Sequence, residues 1–218
     1  MITDPESMER ARDARTYTAP MPQARRRRQS DRSPRSHAQR LKPAVARGFP
    51  PVIGEGARVL VLGSLPGRAS LEAQQYYAQP QNAFWRIMGA LVGAGPELGY
   101  RQRLARLKSS SLALWDVLAA ARREGSLDAA IIRETAIVND FASLFERYRC
   151  IELVCFNGRT AEELFRRRVL PSLPARFADI ALHALPSTSP AHAGMPFALK
   201  LERWSLVLTP RDIPELVQ

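Results

Sequence analysis

Four short segments of this chain carry residue types that could act on a nucleobase or a phosphate. Gly63-Ser64-Leu65-Pro66-Gly67 follows directly on an apolar run. Its glycines let backbone approach a ligand closely, and its N–H groups can bind an anion or a base carbonyl. A plain strand-to-helix turn has the same composition. The stretch from Gln75 to Trp85 sets Asn82 just ahead of an apolar helical pattern. An Asn there is either a helix N-cap or a free amide, and Tyr76 and Tyr77 either stack on a base or pack as core with a polar tip. Phe156-Asn157-Gly158-Arg159-Thr160 ends another apolar run. The Asn amide offers a donor and an acceptor to a base edge, although Asn before Gly is also a common turn residue. Last comes Leu185-Pro186-Ser187-Thr188-Ser189-Pro190-Ala191-His192-Ala193. Its hydroxyls suit phosphate contacts, and a Ser/Thr/Pro cluster equally composes an ordinary loop.

These segments need elements to position them. Apolar runs at residues 58–63, 111–115, 151–156 and 179–185 have the look of buried parallel strands. Helical spacing separates them: Phe84, Ile87, Met88, Leu91 and Val92 share one face, as do Phe141, Leu144, Phe145 and Tyr148 behind Asn139. Thr160 and Glu163 form a capping-box pattern for a helix with Ala161, Leu164 and Phe165, and a last helix is expected over 196–206. Strands alternating with helices imply a parallel sheet covered on both faces. Ligands of such sheets bind beyond the carboxyl ends of the strands, where all four segments would meet.

The folded domain is expected over residues 49–218. Residues 1–48 hold twelve Arg/Lys against five Asp/Glu and almost no large apolar residue, so they read as a basic tail, disordered in isolation. The run from Arg25 to Arg28 fits a phosphate-tracking or address segment, or a solvated tail. A net charge of +11 favours an anionic partner. Two cysteines, Cys150 and Cys155, are too few for a disulfide framework or a four-cysteine iron–sulfur or zinc site. No apolar run reaches the ~18 residues of a membrane span, and the start lacks the apolar core of a signal peptide. The expectation is a cytoplasmic monomer without cofactor or metal.

Together the four segments resemble the uracil-DNA glycosylase superfamily, and most nearly its hypoxanthine-DNA glycosylase branch, the sixth family. The resemblance runs from about Phe49 to Trp204. It rests on their order: a glycine–proline loop after the first strand, the Pro80/Asn82/Phe84/Trp85 segment, the Phe156-Asn157-Gly158 strand end and the loop from Pro186 to Ala191. It implies a three-layer α/β/α fold with a central four-stranded parallel sheet. It implies that Asn82 is the main catalytic residue, with Ser64 standing where related branches carry a catalytic asparagine, and that Asn157 serves base recognition and catalysis. Gly63, Leu65, Pro66 and Gly67 would line the base. The loop of Ser187, Thr188, Ser189, Pro190, Ala191 and His192 would grip the DNA backbone and wedge into the duplex. Gln79 departs from the branch, where histidine is usual, and leaves the substrate range open.

The implied reaction is hydrolysis of an N-glycosidic bond in DNA containing uracil or hypoxanthine. The base must first leave the stack. Its departure as an anion calls for donors, which the first-loop N–H groups and the Asn157 amide supply. Asn82 would orient water through its carbonyl. Tyr77 or Phe156 would stack on the base, and His192 would be the wedge, unless it is a solvent-facing loop residue. No lysine lies in these loops, which points to base excision without strand cleavage. Asp116 and Asp140 are ionisable alternatives to Asn82, read first as cap or ion-pair residues. Two other classes remain open: a non-catalytic basic nucleic-acid-binding protein, and a nucleotide-binding α/β enzyme, for which the first loop lacks the usual glycine spacing.

Overall fold

The structure is a computed structural model and describes residues 44–208. Strands β2 (Val59–Gly63), β3 (Leu112–Asp116), β6 (Leu153–Asn157) and β7 (Ala181–Leu185) form one sheet in the order β3-β2-β6-β7. Every neighbouring pair is parallel. The fold is therefore three-layered α/β/α around a four-stranded parallel sheet.

The layers follow from strand alternation. Leu60 and Leu62 of β2, Ala113 and Trp115 of β3, and Val154 and Phe156 of β6 enter one core, with Phe141 and Phe145 of α4 (Phe141–Arg147) and Leu164 of α5 (Arg159–Leu164). Val61, Leu112, Leu114 and Cys155 enter the other. There they meet Phe84, Ile87 and Met88 of α2 (Phe84–Val92), Leu107 of α3 (Tyr100–Ser109), and Trp204 of α6 (Phe197–Leu208). A short α1 (Arg68–Ala73) follows the first loop.

The sequence reading did not anticipate a second, antiparallel sheet of β1 (Val45–Arg47), β4 (Leu118–Arg122) and β5 (Ile137–Val138), ordered β1-β4-β5. β4 is a run of leucine and alanines with no strand signature; only its pairing makes it one. Since β1 pairs with β4, ordered structure begins ahead of Phe49. The rest of the expected tail, through residue 43, lies outside the described residues. The Thr160 capping box does not form: α5 starts at Arg159 behind Gly158, two residues ahead of where a Thr160 cap would set it, and Thr160 lies inside the helix. At α4 the cap is Asp140, whose side chain accepts from Ser143 N–H at 3.0 Å. Among the described residues no helix is long and apolar enough to cross a membrane.

Candidate active site at the strand ends

Alternation continues to the last residue of each strand. Gly63 stands opposite Asp116 in the register, and Asn157 opposite Leu185. Each lies one residue beyond a side chain of the α4–α5 core, so Gly63, Asp116 and Asn157 all face the α2 layer. Phe156, by the same rule, faces the opposite way. It is 0% exposed and packs against Phe165, so it belongs to the core and has no ring face free to stack on a base. Adjacent strand residues cannot line one side of a sheet, and that signal was available in the sequence.

Thr188 joins three of the four segments. Asn157 Nδ2 donates to Thr188 Oγ1 at 2.8 Å, and Thr188 N–H donates to Asn157 Oδ1 at 2.8 Å. The Thr188 carbonyl accepts from Ala83 N–H at 3.0 Å, beside Asn82. Thr188 is 1% exposed, so it cannot reach a phosphate; the expectation that it binds DNA is corrected. Its hydroxyl oxygen accepts from the Asn157 amide and orients it. The amide still has a second N–H and a second lone pair for a base edge. Gly158 makes the approach possible: its φ is +96°, and a Cβ there would stand 2.8 Å from Ser187 Cβ.

Asn82 is half-buried and its Oδ1 accepts from Phe84 N–H at 3.0 Å. It therefore caps the start of α2 and keeps one lone pair free. Tyr77 stacks on Phe84 with ring centroids 4.0 Å apart, while Tyr76 is buried with its hydroxyl near the Phe49 and Pro50 carbonyls. The Tyr77 hydroxyl lies close to the Asn157 amide but forms no hydrogen bond. Burial raises its pKa and keeps it protonated. Gln79 turns back on its own loop, its Oε1 accepting from Gln81 N–H at 2.6 Å.

The first loop is braced from beneath by residues the sequence reading missed. Ser64 is buried and its hydroxyl donates to Asp128 Oδ1 at 2.6 Å, so it is not placed for the catalytic role expected of it. Leu65 packs its side chain into the α4–α5 core. Pro66 is buried, and Gly67 sits at the N-terminus of α1. The Arg123 guanidinium donates to the Leu65 and Pro66 carbonyls and, at 3.1 Å, to that of Gly125. Because a trans peptide is planar, the Gly67 N–H points away from Arg123. Asp116 is 4% exposed, and burial together with the charge of Asp128 pushes its pKa up to about 8, against a lowering by Arg123. Burial also raises Asp128. No local pattern marks Arg123 or Asp128; their partners in the first loop lie about 60 positions away.

The fourth loop presents Pro190, Ala191 and His192 to solvent, with Ser187 and Ser189 half-buried. Ser187 Oγ accepts from Ser189 N–H and Ser189 Oγ from Ala191 N–H, both at 3.2 Å. Helix α6 holds the loop at two points. Trp204 Nε1 donates to the Pro186 carbonyl at 2.9 Å, and the buried Lys200 ammonium to the His192 carbonyl at 2.9 Å. A separate cavity of about 360 Å³, lined by Phe145, Phe165 and Leu182 among others, lies in the α4–α5 layer and includes none of these loops.

Residues 50–206 match the family model of the uracil DNA glycosylase superfamily. The chain is 42% identical to a hypoxanthine DNA glycosylase of Methanosarcina acetivorans over 137 residues, 59% of this chain and 85% of the relative. It is 43% identical over 117 residues to one of Methanosarcina barkeri, 53% of this chain and 73% of the relative. Its fold is similar to a solution NMR structure of a candidate uracil DNA glycosylase from Methanosarcina acetivorans. The TM-score is 0.63 at 36% identity, covering 76% of this chain and 97% of that one.

Proposed function

Because this chain belongs to the uracil DNA glycosylase superfamily, we propose that its strand ends form the active site of a monofunctional DNA N-glycosylase, a hydrolase that excises uracil, hypoxanthine or both and so starts base excision repair. One observation carries the reading: Thr188 ties the Asn157 amide to the segment of Asn82, on the sheet face that also holds Tyr77 and Gly63.

The chemistry follows from those groups. A base within the duplex cannot present its glycosidic bond to side chains, so the nucleotide is extruded at a cost of a few kcal/mol, least at a mispair. Pro190, Ala191 and His192 are the exposed tip of a loop held by α6, and His192 fills the gap left in the stack. Ser187 and Ser189 contact the phosphates. The extruded base lies against Tyr77, whose other face is supported by Phe84. Asn157 reads the carbonyl and ring N–H that deamination creates, using the donor and lone pair that Thr188 leaves free.

As the C1′–N bond breaks, the sugar becomes oxocarbenium-like and the base takes up negative charge. The Asn157 amide and the Gly67 N–H stabilise that charge. Asn82 orients the attacking water with the lone pair not spent on Phe84. An amide is too weak a base to deprotonate water, and against a sugar that is nearly a cation it does not need to be. The reaction requires neither metal nor organic cofactor, and the chain acts as a cytoplasmic monomer on DNA. The twelve Arg/Lys of residues 1–48 add sequence-independent attraction to phosphates.

The test is a panel of duplexes and single strands, each with one uracil or one hypoxanthine, cleaved by alkali at abasic sites after incubation. Alkali-labile product from at least one base is expected. No product from either base in either strand form would overturn the reading.

A further inference from the structure

Two buried polar atoms beneath the first loop have no hydrogen-bond partner: Asp116 Oδ2 and the Tyr77 hydroxyl. They are neighbours. A Cβ on Gly63 would stand 2.4 Å from Asp116 Oδ1 and 3.2 Å from the Tyr77 hydroxyl oxygen, so glycine at 63 is what makes room for these two groups side by side. Asp116 ends its strand on the same sheet face as Asn157. A single unsatisfied buried polar group costs about 1–3 kcal/mol. Two in one corner, at the strand ends where the base is read, mark groups held for a ligand.

The charges around Asp116 decide which form it takes. Asp128, on the short turn Asp128–Ala130, accepts the Ser64 hydroxyl proton at 2.6 Å. Arg123, just past β4, gives its guanidinium to three backbone carbonyls and makes no ion pair with either carboxyl among the described residues. From the segment ahead of α2, Tyr76 and Tyr77 face it with neutral hydroxyls. Two carboxyls near one incompletely committed cation do not both ionise readily. Asp128 has the hydrogen bond that favours the charged form; Asp116 has none, and keeps its proton at neutral pH.

We propose that Asp116 is a further catalytic residue of the glycosylase, donating its carboxyl hydrogen to the acceptor of the extruded base on which negative charge collects, with the Tyr77 hydroxyl beside it. This rests on the glycosylase reading above and extends it. When the C1′–N bond breaks, its electron pair stays with the base. The Asp116 proton passes to a base oxygen or ring nitrogen, and the base departs neutral. Water adds to C1′ and releases one proton, which restores Asp116. One water is consumed and no other reactant is needed. An ionised carboxylate in that place would repel the departing base, so the proton must be present when the bond breaks.

Single-turnover excision from duplexes carrying hypoxanthine or uracil, measured from about pH 6 to about pH 10 with the full chain, Asp116→Asn and Asp116→Ala, tests this. The rate of the unaltered chain should fall about tenfold per unit above the point where Asp116 ionises, about pH 8. Asp116→Asn can hydrogen-bond through its amide but has no proton to pass to the base, so it should slow excision by about 10²-fold at neutral pH and lose the alkaline fall. Asp116→Ala should be slower by about 10²–10³-fold at neutral pH. A merely structural Asp116 would not move the pH profile. If thermal melts show that the alanine variant does not fold, the asparagine profile decides alone. An alkaline fall that persists in Asp116→Asn, or a folded alanine variant as fast as the unaltered chain, overturns the inference and leaves the glycosylase intact. An unaltered chain that excises neither base overturns both.

Discussion

Asn157 and Thr188 exchange two hydrogen bonds of 2.8 Å, side-chain amide to hydroxyl and backbone N–H to amide oxygen, across 31 positions of sequence. The pair fixes the amide plane at the end of β6 and pins the fourth loop to the sheet. The groups proposed to read the base and to grip the DNA thereby share one contact. Since Thr188 also accepts from Ala83 N–H, displacing the fourth loop would disturb the Asn82 segment as well.

Thr188→Val keeps the shape of the buried side chain and the backbone bond, and removes only the acceptor for Asn157 Nδ2. Stability should fall by about 1 kcal/mol in urea melts, and excision should slow by about tenfold through loss of amide orientation. The salt dependence of DNA binding should stay unchanged, because no phosphate contact is lost. A reduced salt slope would restore Thr188 to the DNA surface.

Substitution separates the cap that Asn82 makes from the water-orienting task proposed for it. Asn82→Ala loses the cap on Phe84 N–H as well as the water-orienting carbonyl. It should cost about 1 kcal/mol of stability and about 10²–10⁴ in single-turnover rate. Asn82→Asp retains an acceptor for the cap and for water, so it should melt near the unaltered chain and excise faster than the alanine variant. Equal rates for the two variants would deny Asn82 the water.

Asp116 should make stability pH-dependent. Its folded pKa of about 8 stands above the ordinary aspartate value of 3.8, so the folded state holds a proton that the unfolded chain has released. The contribution is complete below about pH 4 and is lost as pH rises through about 8, with a slope of up to about 1.4 kcal/mol per unit between. Burial raises Asp128 in the same sense. Urea melts across this range should show stability declining toward the alkaline side, and Asp116→Asn should flatten the slope.

His192 sits at an exposed tip held by the Lys200 ammonium. If it fills the gap in the stack, His192→Ala should slow excision from duplex DNA by about tenfold and leave single strands untouched, since unstacked bases need no extrusion. Lys200→Met should show the same preference, together with a loss of stability from unpairing the His192 carbonyl of about 1–3 kcal/mol. Equal effects on both strand forms would place His192 outside the extrusion step.

The sequence by itself determined the sheet and helix layers, the four loops and their convergence, because these are local signals. Apolar runs such as 58–63 and the helical spacing of Phe84, Ile87 and Met88 need only near neighbours to be read. Tertiary structure decided which side chains in those loops are free to act. Register and alternation turned Phe156 into core and left Asn157 at the site. Pairing across long separations took Ser64 to Asp128 and Thr188 to Asn157, and so removed two expected contacts with substrate or DNA. The ionisation of Asp116 was decided the same way. Desolvation and the field of Asp128 and Arg123 exist only once distant strands and turns are packed together, so no spacing along the chain encodes them.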